Sequence, residues 1–228
     1  MSKLIKPRKL AISLAMFALI TVGSATIARA DAAVFNLNTG STLPNQNYGT
    51  LSLLLNGDGS ITITVNLING NRIIETGQNV SIGFNSSLSP NPSITVSGLP
   101  AGYSFGAGDG PGSFGADGFG TFDYRIRSGF SAGDAGAVSN LSFTVFCTSC
   151  AGGVFSSVYD LVSASTNPPG TISTFFAVDI FCPNCNGGQG ATGFVGTEAV
   201  PEPTSMLLLG TGLFGLVAGI RRRRKSQK

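Results

Sequence analysis

Histidine and tryptophan are absent from this 228-residue sequence, and charged side chains make up 11% of it. Without histidine the chain has no Ser-His or Cys-His nucleophile pair and no imidazole metal ligand, which removes most common hydrolase mechanisms. Catalysis by carboxylates alone stays open, for instance by Asp109 and Asp123. Nothing in the sequence singles out two carboxylates that must meet, so we expect a protein that is not an enzyme and carries no cofactor.

Cations are scarce in the middle of the chain. Of the 14 lysines and arginines, five lie in residues 1–30 and six in the last eight residues, which leaves Arg72, Arg125 and Arg127 between them. Ten of the 11 acidic residues lie in residues 31–200, so this part carries a net charge of −7. Nucleic-acid phosphates demand a Lys/Arg surface, and we therefore expect no nucleic-acid partner.

The first 30 residues have the order of a secretory signal peptide. A basic segment is followed by the apolar core 10–22 and by the small-residue site Ala28-Arg29-Ala30. This pattern predicts cleavage after Ala30 by signal peptidase. An uncleaved anchor is the alternative, and it is disfavoured because the apolar core is shorter than the roughly 20 residues of a spanning helix.

Residues 31–198 show the pattern of short β-strands separated by turn residues. The clearest signal is a hairpin, in which 51–55 and 60–67 flank the turn Asn56-Gly57-Asp58-Gly59 and apolar residues alternate with polar ones. Further strands are predicted at 80–84, 93–96, 122–126, 141–146, 157–162, 172–181 and 192–195. No helical period interrupts them, so we predict an all-β ectodomain, an antiparallel β-sandwich of jelly-roll type.

Residues 101–120 depart from this pattern because they contain eight glycines. Glycine at this density predicts a long, mobile surface loop. A sharper alternative is a calcium loop that uses Asp109, Asp117 and Asp123, since hard cations take oxygen ligands from turns. The spacing fits neither an EF-hand nor tandem calcium-binding nonapeptides, which favours the plain loop.

Four cysteines form two similar knuckles that share the pattern [VI]-F-C-x-x-C-x-G-G, and they are Cys147, Cys150, Cys182 and Cys185. Two CxxC pairs are able to hold one zinc or iron through four thiolates. Export to an oxidising compartment instead favours disulfides, either between the knuckles or within each pair. A redox role needs a helix amino-terminus at the motif to lower the pKa of a thiol, and it is disfavoured because the sequence gives no evident helix at either motif.

The tail contains three parts in a fixed order. Val200-Pro201-Glu202-Pro203 comes first, then a stretch without charge from 204 to 220, and then cations that include Arg221, Arg222, Arg223 and Arg224. The uncharged stretch is at the lower limit for a transmembrane helix, and the cations predict a cytoplasmic carboxy-terminus. The prolines keep residues 200–203 extended, which is the form that a protease or transpeptidase grips.

Together these parts closely resemble the PEP-CTERM sorting signal of Gram-negative bacteria, which occurs with a signal peptide, as here. The resemblance covers residues 199–228 and implies recognition by an exosortase, a membrane cysteine transpeptidase, at Pro201, Glu202 and Pro203. It further implies a precursor that is held transiently in the inner membrane and then released to the cell surface or outside. The body resembles PEP-CTERM ectodomains more weakly, in stretches such as IIETGQNVSIGFN.

Two functions are consistent with these observations. The first is a structural protein of the exopolysaccharide or biofilm layer, which follows from the two targeting segments and the acidic body. The second is a carbohydrate-binding or calcium-dependent adhesive module, in which exposed aromatic residues of the glycine-rich segment stack on sugars. The candidate aromatic residues are Tyr103, Phe105, Phe114 and Phe119.

Overall fold

The computed structural model of this protein describes residues 32–108, 112–166 and 172–197. The predicted signal peptide at 1–30 and the sorting signal at 199–228 lie outside them, and among the described residues no helix is long and apolar enough to cross a membrane. The described part is all-β and antiparallel, as predicted. Its strands are β1 (Ala32–Gly40), β2 (Gly49–Leu55), β3 (Ile61–Leu67), β4 (Arg72–Ile73), β5 (Ile82–Phe84), β6 (Ile94–Ser97), β7 (Tyr103–Ala107), β8 (Phe114–Ala116), β9 (Gly120–Phe122), β10 (Tyr124–Ser128), β11 (Asn140–Cys147), β12 (Phe176–Cys182) and β13 (Ala191–Thr197).

Eleven of these strands form one sheet. Its order is β6-β11-β3-β2-β1-β13-β12-β5-β10-β7, with β4 paired to β12 beside this path, and β8 and β9 form a separate hairpin. The sheet is continuous because β1 pairs with β2 along one edge and with β13 along the other. A bulge between Leu37 and Thr39 interrupts the register of β1 with β13.

The core lies between the inner faces of the two halves of this sheet. Along β3, Ile61, Ile63 and Val65 are fully buried and alternate with half-exposed threonines. Phe143 of β11 and Phe84 of β5 lie on strands far apart in the sheet order, yet their ring centroids are 6.5 Å apart. The two halves therefore pack face to face, which is the packing of a β-sandwich.

The hairpin predicted from residues 51–67 is confirmed as β2 and β3. Its turn is held by Asp58, whose Oδ1 accepts hydrogen bonds from the backbone N–H of Ser60 at 3.0 Å and from its hydroxyl at 2.6 Å. Gly59 has a φ of +76°, and a Cβ there would lie 2.4 Å from the Cβ of Val154. Glycine is thus required both by the turn and by the close approach of residue 154.

The prediction of one mobile loop over 101–120 is wrong. Residues 103–107 form β7, which pairs with β10, and residues 114–116 pair with 120–122 in the β8–β9 hairpin. Glycine is compatible with these strands because, without a side chain, it lets neighbouring side chains pack against its backbone. A Cβ on Gly106, for example, would lie 3.0 Å from Nε of Arg125. Gly118, at the hairpin turn, has a φ of +83°.

The strand predicted at 157–162 is also wrong, because Val158–Leu161 form a 3₁₀ helix. Ser157 and Asp160 build a capping box at its start, in which the Ser157 hydroxyl accepts from Tyr159 N and Asp160 accepts from Ser157 N. These local hydrogen bonds override the apolar alternation. The strand predicted from residue 172 begins at Phe176, and the strand predicted at 122–126 corresponds to β10. The sequence pattern missed β1, β4, β7, β8 and β9.

Candidate functional site

Each cysteine knuckle closes on itself. Cys147 is bonded to Cys150 and Cys182 to Cys185, so the disulfide prediction is confirmed and neither a bridge between the knuckles nor a four-thiolate metal centre forms. The strand order explains the pairing: β11 lies between β3 and β6, whereas β12 lies between β13 and β5. The two knuckles therefore end strands that are not neighbours.

The repeated sequence pattern builds the same local structure twice. In both knuckles the first cysteine is the last residue of a strand, and a 3₁₀ helix begins directly after the second cysteine. Gly152 and Gly187 take φ values of +73° and +68° inside these helices. Each disulfide closes a loop of four residues, which limits its entropic stabilisation to about 2 kcal/mol, whereas a bridge between the knuckles would contribute about 4 kcal/mol.

Two of the three calcium candidates, Asp117 and Asp123, lie among the described residues. Asp109 lies outside the described residues. Asp123 is buried, and its two carboxylate oxygens accept from Asn91 Nδ2 at 2.7 Å and from Gly112 N at 2.6 Å. Asp117 is exposed at the tip of the β8–β9 hairpin. In the part of the chain that the structure describes, no three His, Cys, Asp or Glu side chains are grouped as a metal would need.

The prediction that four aromatic residues of the glycine-rich segment are exposed is wrong for two of them, Phe119 and Tyr103. Phe119 is fully buried in a cluster that includes Phe122 and Phe194, because it anchors the hairpin turn to the sheet. Tyr103 is 8% exposed, and its hydroxyl donates to Ile73 O at 3.2 Å. The other two, Phe105 and Phe114, are half-buried, and the guanidinium carbon of Arg125 lies 4.0 Å from the centroid of the Phe114 ring.

A polar segment, Glu75-Thr76-Gly77-Gln78-Asn79, joins β4 to β5 and organises two of the three arginines of the body. Arg127 Nη2 donates to Glu75 Oε1 at 3.0 Å and to Asn79 Oδ1 at 2.8 Å. Arg125 Nη1 donates to Asn79 O at 3.1 Å. This segment therefore holds β10 through ionic and polar contacts rather than through strand pairing.

The same segment contacts a buried carboxyl group. Asp179, in β12, is fully buried, and its Oδ2 accepts from both the backbone N–H and the hydroxyl of Thr76 at 2.6 Å. Its Oδ1 has no hydrogen-bond partner among the described residues. Burial raises the pKa of Asp179 to about 6, against the lowering effect of the Thr76 hydrogen bonds and with a further rise from the charge of Glu75. Sequence reasoning missed this residue, although an acid inside the apolar run FFAVDIF is a signal for it.

We expect Asp179→Asn to remove a pH dependence of stability. The pKa of Asp179 rises from 3.8 in the unfolded chain to about 6 in the folded chain, so the folded state holds the extra proton between these values. The contribution of Asp179 to the free energy of unfolding is fully present below pH 3.8 and is lost as the pH rises through 6. The total loss is about 3 kcal/mol. Asparagine keeps an acceptor for Thr76 without the charge.

Urea unfolding of the oxidised protein between pH 4 and pH 7.5 measures this effect. The wild type loses stability across the interval, and Asp179→Asn has a flatter profile and is the more stable of the two at pH 7.5. Asp134→Asn is the matched control, because Asp134 is an exposed carboxylate in a turn. Parallel profiles for the wild type and Asp179→Asn would show that the carboxyl group does not titrate as described.

A polar cleft of about 280 Å³ lies beside Thr76. Four segments converge on it: the residues after β1, the polar segment, the tip of the β8–β9 hairpin and the middle of β13. Its lining residues are Ser41, Thr42, Thr76, Gln78, Asp117, Thr192, Gly193 and Phe194.

A second groove, of about 380 Å³, is mostly apolar and lies beside the Cys147–Cys150 disulfide between Pro90 and Val154.

The walls of the polar cleft are fixed by close glycine contacts. A Cβ on Gly118 would lie 2.4 Å from the Cβ of Ser41, and a Cβ on Gly193 would lie 2.5 Å from Oγ1 of Thr42. The hairpin tip therefore packs directly against Ser41, and β13 packs directly against Thr42. Phe119, buried directly after Gly118, holds the tip in this place.

The last described strand ends close to the sorting motif. Thr197 is 1% exposed, its carbonyl accepts from Thr174 Oγ1 at 2.7 Å, and its hydroxyl accepts from Phe176 N at 3.3 Å. Four residues further on, Pro201 begins the Pro-Glu-Pro sequence, which lies outside the described residues together with Arg221–Arg224. The described domain therefore ends four residues before Pro201 along the chain.

Residues 199–224 match the family model of the PEP-CTERM protein-sorting motif. This match places the chain among exported proteins that are processed at the membrane by an exosortase. The protein therefore carries a PEP-CTERM sorting signal at its carboxy-terminus, as the sequence predicts. No curated protein and no solved structure is significantly similar to the chain.

Proposed function

We propose that this protein is a structural, non-enzymatic component of the exopolysaccharide or biofilm layer at the surface of a Gram-negative bacterium. The observation that carries the proposal is the PEP-CTERM motif at residues 199–224, joined within a few residues to a disulfide-closed β-domain. In this proposal the signal peptide predicted at 1–30 directs export, and the motif directs exosortase processing. The domain provides a stable, acidic body that remains outside the membrane after the tail is processed.

The chemistry of the body supports a role without catalysis. The chain has no histidine, and all four cysteines are in disulfides, so neither a histidine-activated hydroxyl nor a free thiol is available as a nucleophile. Asp179, the carboxyl group with the raised pKa, is fully buried in β12 and bonded to Thr76. Burial and the hydrogen bonds to Thr76 explain the raised pKa of Asp179 without a catalytic role.

Fractionation of the producing cells tests the proposal. We expect the mature protein to be recovered with the exopolysaccharide and to move to the culture medium when the polysaccharide is degraded or its synthesis is deleted. A strain with the exosortase gene deleted is the control, in which the precursor remains in the inner membrane. A mature protein that is free in the medium whether or not polysaccharide is made would contradict the proposed location.

A carbohydrate-binding function is the second candidate, and one observation favours it. The aromatic residues first expected to stack on sugars are buried or engaged with other side chains. The polar cleft at Asp117 and Gln78 is a different place on the domain with the hydrogen-bonding groups that sugars need. The calcium-dependent version has less support, because the carboxylate of Asp123 is already hydrogen-bonded on both oxygens.

A further inference from the structure

We infer that the polar cleft binds a single neutral sugar residue of a polysaccharide, with Asp117 and Gln78 as its main recognition groups. This inference rests on the proposed function, which places the protein in the exopolysaccharide layer and so supplies the sugar. The choice of a neutral sugar as the ligand follows from the residues that line the cleft.

Asp117 differs from the other acidic residues of the domain. Of the seven acids that the structure describes, it is the one whose carboxylate accepts no hydrogen bond from the described residues. The other six are Asp58, Glu75, Asp123, Asp134, Asp160 and Asp179, and each accepts at least one. The Asp117 carboxylate therefore lines the cleft with all of its acceptor positions available to a ligand.

Other polar groups of the cleft are also unused. Ser41 Oγ lies in the cleft wall, is buried, and has no hydrogen-bond partner among the described residues, so we do not count it among the groups that a ligand contacts. The side chains of Gln78, Thr42 and Thr192 make no hydrogen bond with the described part of the protein. Thr76 donates its hydroxyl to Asp179 and keeps its acceptor positions. The cleft thus offers several donors and acceptors at a fixed place.

This set of groups matches the hydroxyl groups of a sugar. Hydroxyls and amides both donate and accept, as sugar hydroxyls do, and a carboxylate accepts from two neighbouring hydroxyls at once. Among the described residues no lysine or arginine lines the cleft, and the body carries a net charge of −7, so an anionic sugar meets no counter-charge from them. Among the described residues, Asp117 is also the single acidic side chain of the cleft, and no three His, Cys, Asp or Glu side chains are grouped as a metal would need.

The size and rigidity of the cleft set the extent of the ligand. Its volume of about 280 Å³ is slightly below the ~300–1,000 Å³ of sites for drug-sized molecules, so it takes one sugar ring rather than an oligosaccharide. The packing of Gly118 on Ser41 and of Gly193 on Thr42 fixes its walls before a ligand binds. A preformed site avoids the ordering cost that weakens binding.

The test uses the mature protein and oligosaccharides from partial hydrolysis of the producing strain's exopolysaccharide, separated into neutral and uronate-containing fractions. Saturation-transfer NMR and calorimetry report binding in the presence of a calcium chelator. We expect saturable binding of the neutral fraction, with Asp117→Ala and Gln78→Ala each weakening it about tenfold or more. Asp134→Ala and Gln189→Ala remove an exposed acid and an exposed amide elsewhere, and we expect them to change affinity less than about twofold.

Three results would overturn the inference: no binding of the neutral fraction, binding confined to the uronate fraction, or equal binding by the cleft variants and the wild type. The fractionation experiment separates this failure from failure of the proposed function. If the protein is recovered with the polysaccharide but does not bind neutral sugars through Asp117, the proposed location stands and the proposed sugar site is wrong. If it binds the sugars but is never found in the layer, the proposed location is wrong and the sugar site stands.

Discussion

Replacing both Pro201 and Pro203 with alanine is expected to leave the full-length precursor in the inner membrane and to abolish release of the mature protein. Proline restricts the backbone to extended forms and alanine does not, and we expect the exosortase to act poorly on a site that is no longer restricted in this way. The apolar stretch 204–220 and Arg221–Arg224 are unchanged, and we expect them to keep the precursor in the membrane. Immunoblots of membrane and released fractions measure the ratio of precursor to mature protein.

The chain offers a matched control for this double substitution. Pro168 and Pro169 are a second proline pair in the body, and replacing them with alanine changes the same number of prolines outside the sorting motif. We expect processing of that variant to equal the wild type. Normal release of the Pro201→Ala/Pro203→Ala variant would show that the tail is an anchor alone and that Pro201–Pro203 are not read.

Phe84→Ala is expected to have the largest effect on stability, a loss of about 3–5 kcal/mol. Phe84 is fully buried on β5, and its ring lies 5.4 Å from that of Tyr124 and 6.5 Å from that of Phe143. It therefore joins the two halves of the sheet, and the alanine variant leaves a cavity between them. Since domains are stable by about 5–15 kcal/mol, the loss brings the domain close to unfolding.

Urea unfolding of the oxidised protein measures this loss. Phe84→Leu keeps most of the volume and is expected to cost less than about 1.5 kcal/mol. Val34→Ala is the exposed control, because Val34 is 62% exposed on β1, and it is expected to change stability by less than about 0.5 kcal/mol. Equal midpoints for Phe84→Ala and Val34→Ala would mean that the two halves of the sheet do not pack through Phe84.

Local patterns predicted the parts of the fold that local physics determines. The alternation over 60–67 and the Asn-Gly-Asp-Gly turn were sufficient for β2 and β3, because register and turn lie within the segment. The strand predicted at 157–162 failed because Ser157 and Asp160 cap a 3₁₀ helix, a competition that hydrophobic alternation does not reveal. The glycine-rich segment failed because its glycines serve close packing rather than mobility.

The cysteine pairing and the candidate cleft depend on contacts distant in sequence. Four cysteines allow three pairings, and the strand order that selects one of them is a property of the whole sheet. Thr76 and Asp179 are 103 residues apart and meet only because β12 pairs with β4 and β5. Asp117 was recognised as a candidate ligand from its residue type, but its neighbours Ser41 and Gln78 come from other segments. The sorting signal was predictable because all of its parts are consecutive.

The most direct test is the intact mass of the mature protein from the exopolysaccharide fraction, taken without reduction and after alkylation. We expect a chain that begins at Asp31 and ends near Pro201–Pro203, resists alkylation, and is lighter than the reduced chain by the four hydrogens that two disulfides remove. A mass that still contains the tail to Lys228, or four alkylated cysteines, would contradict it.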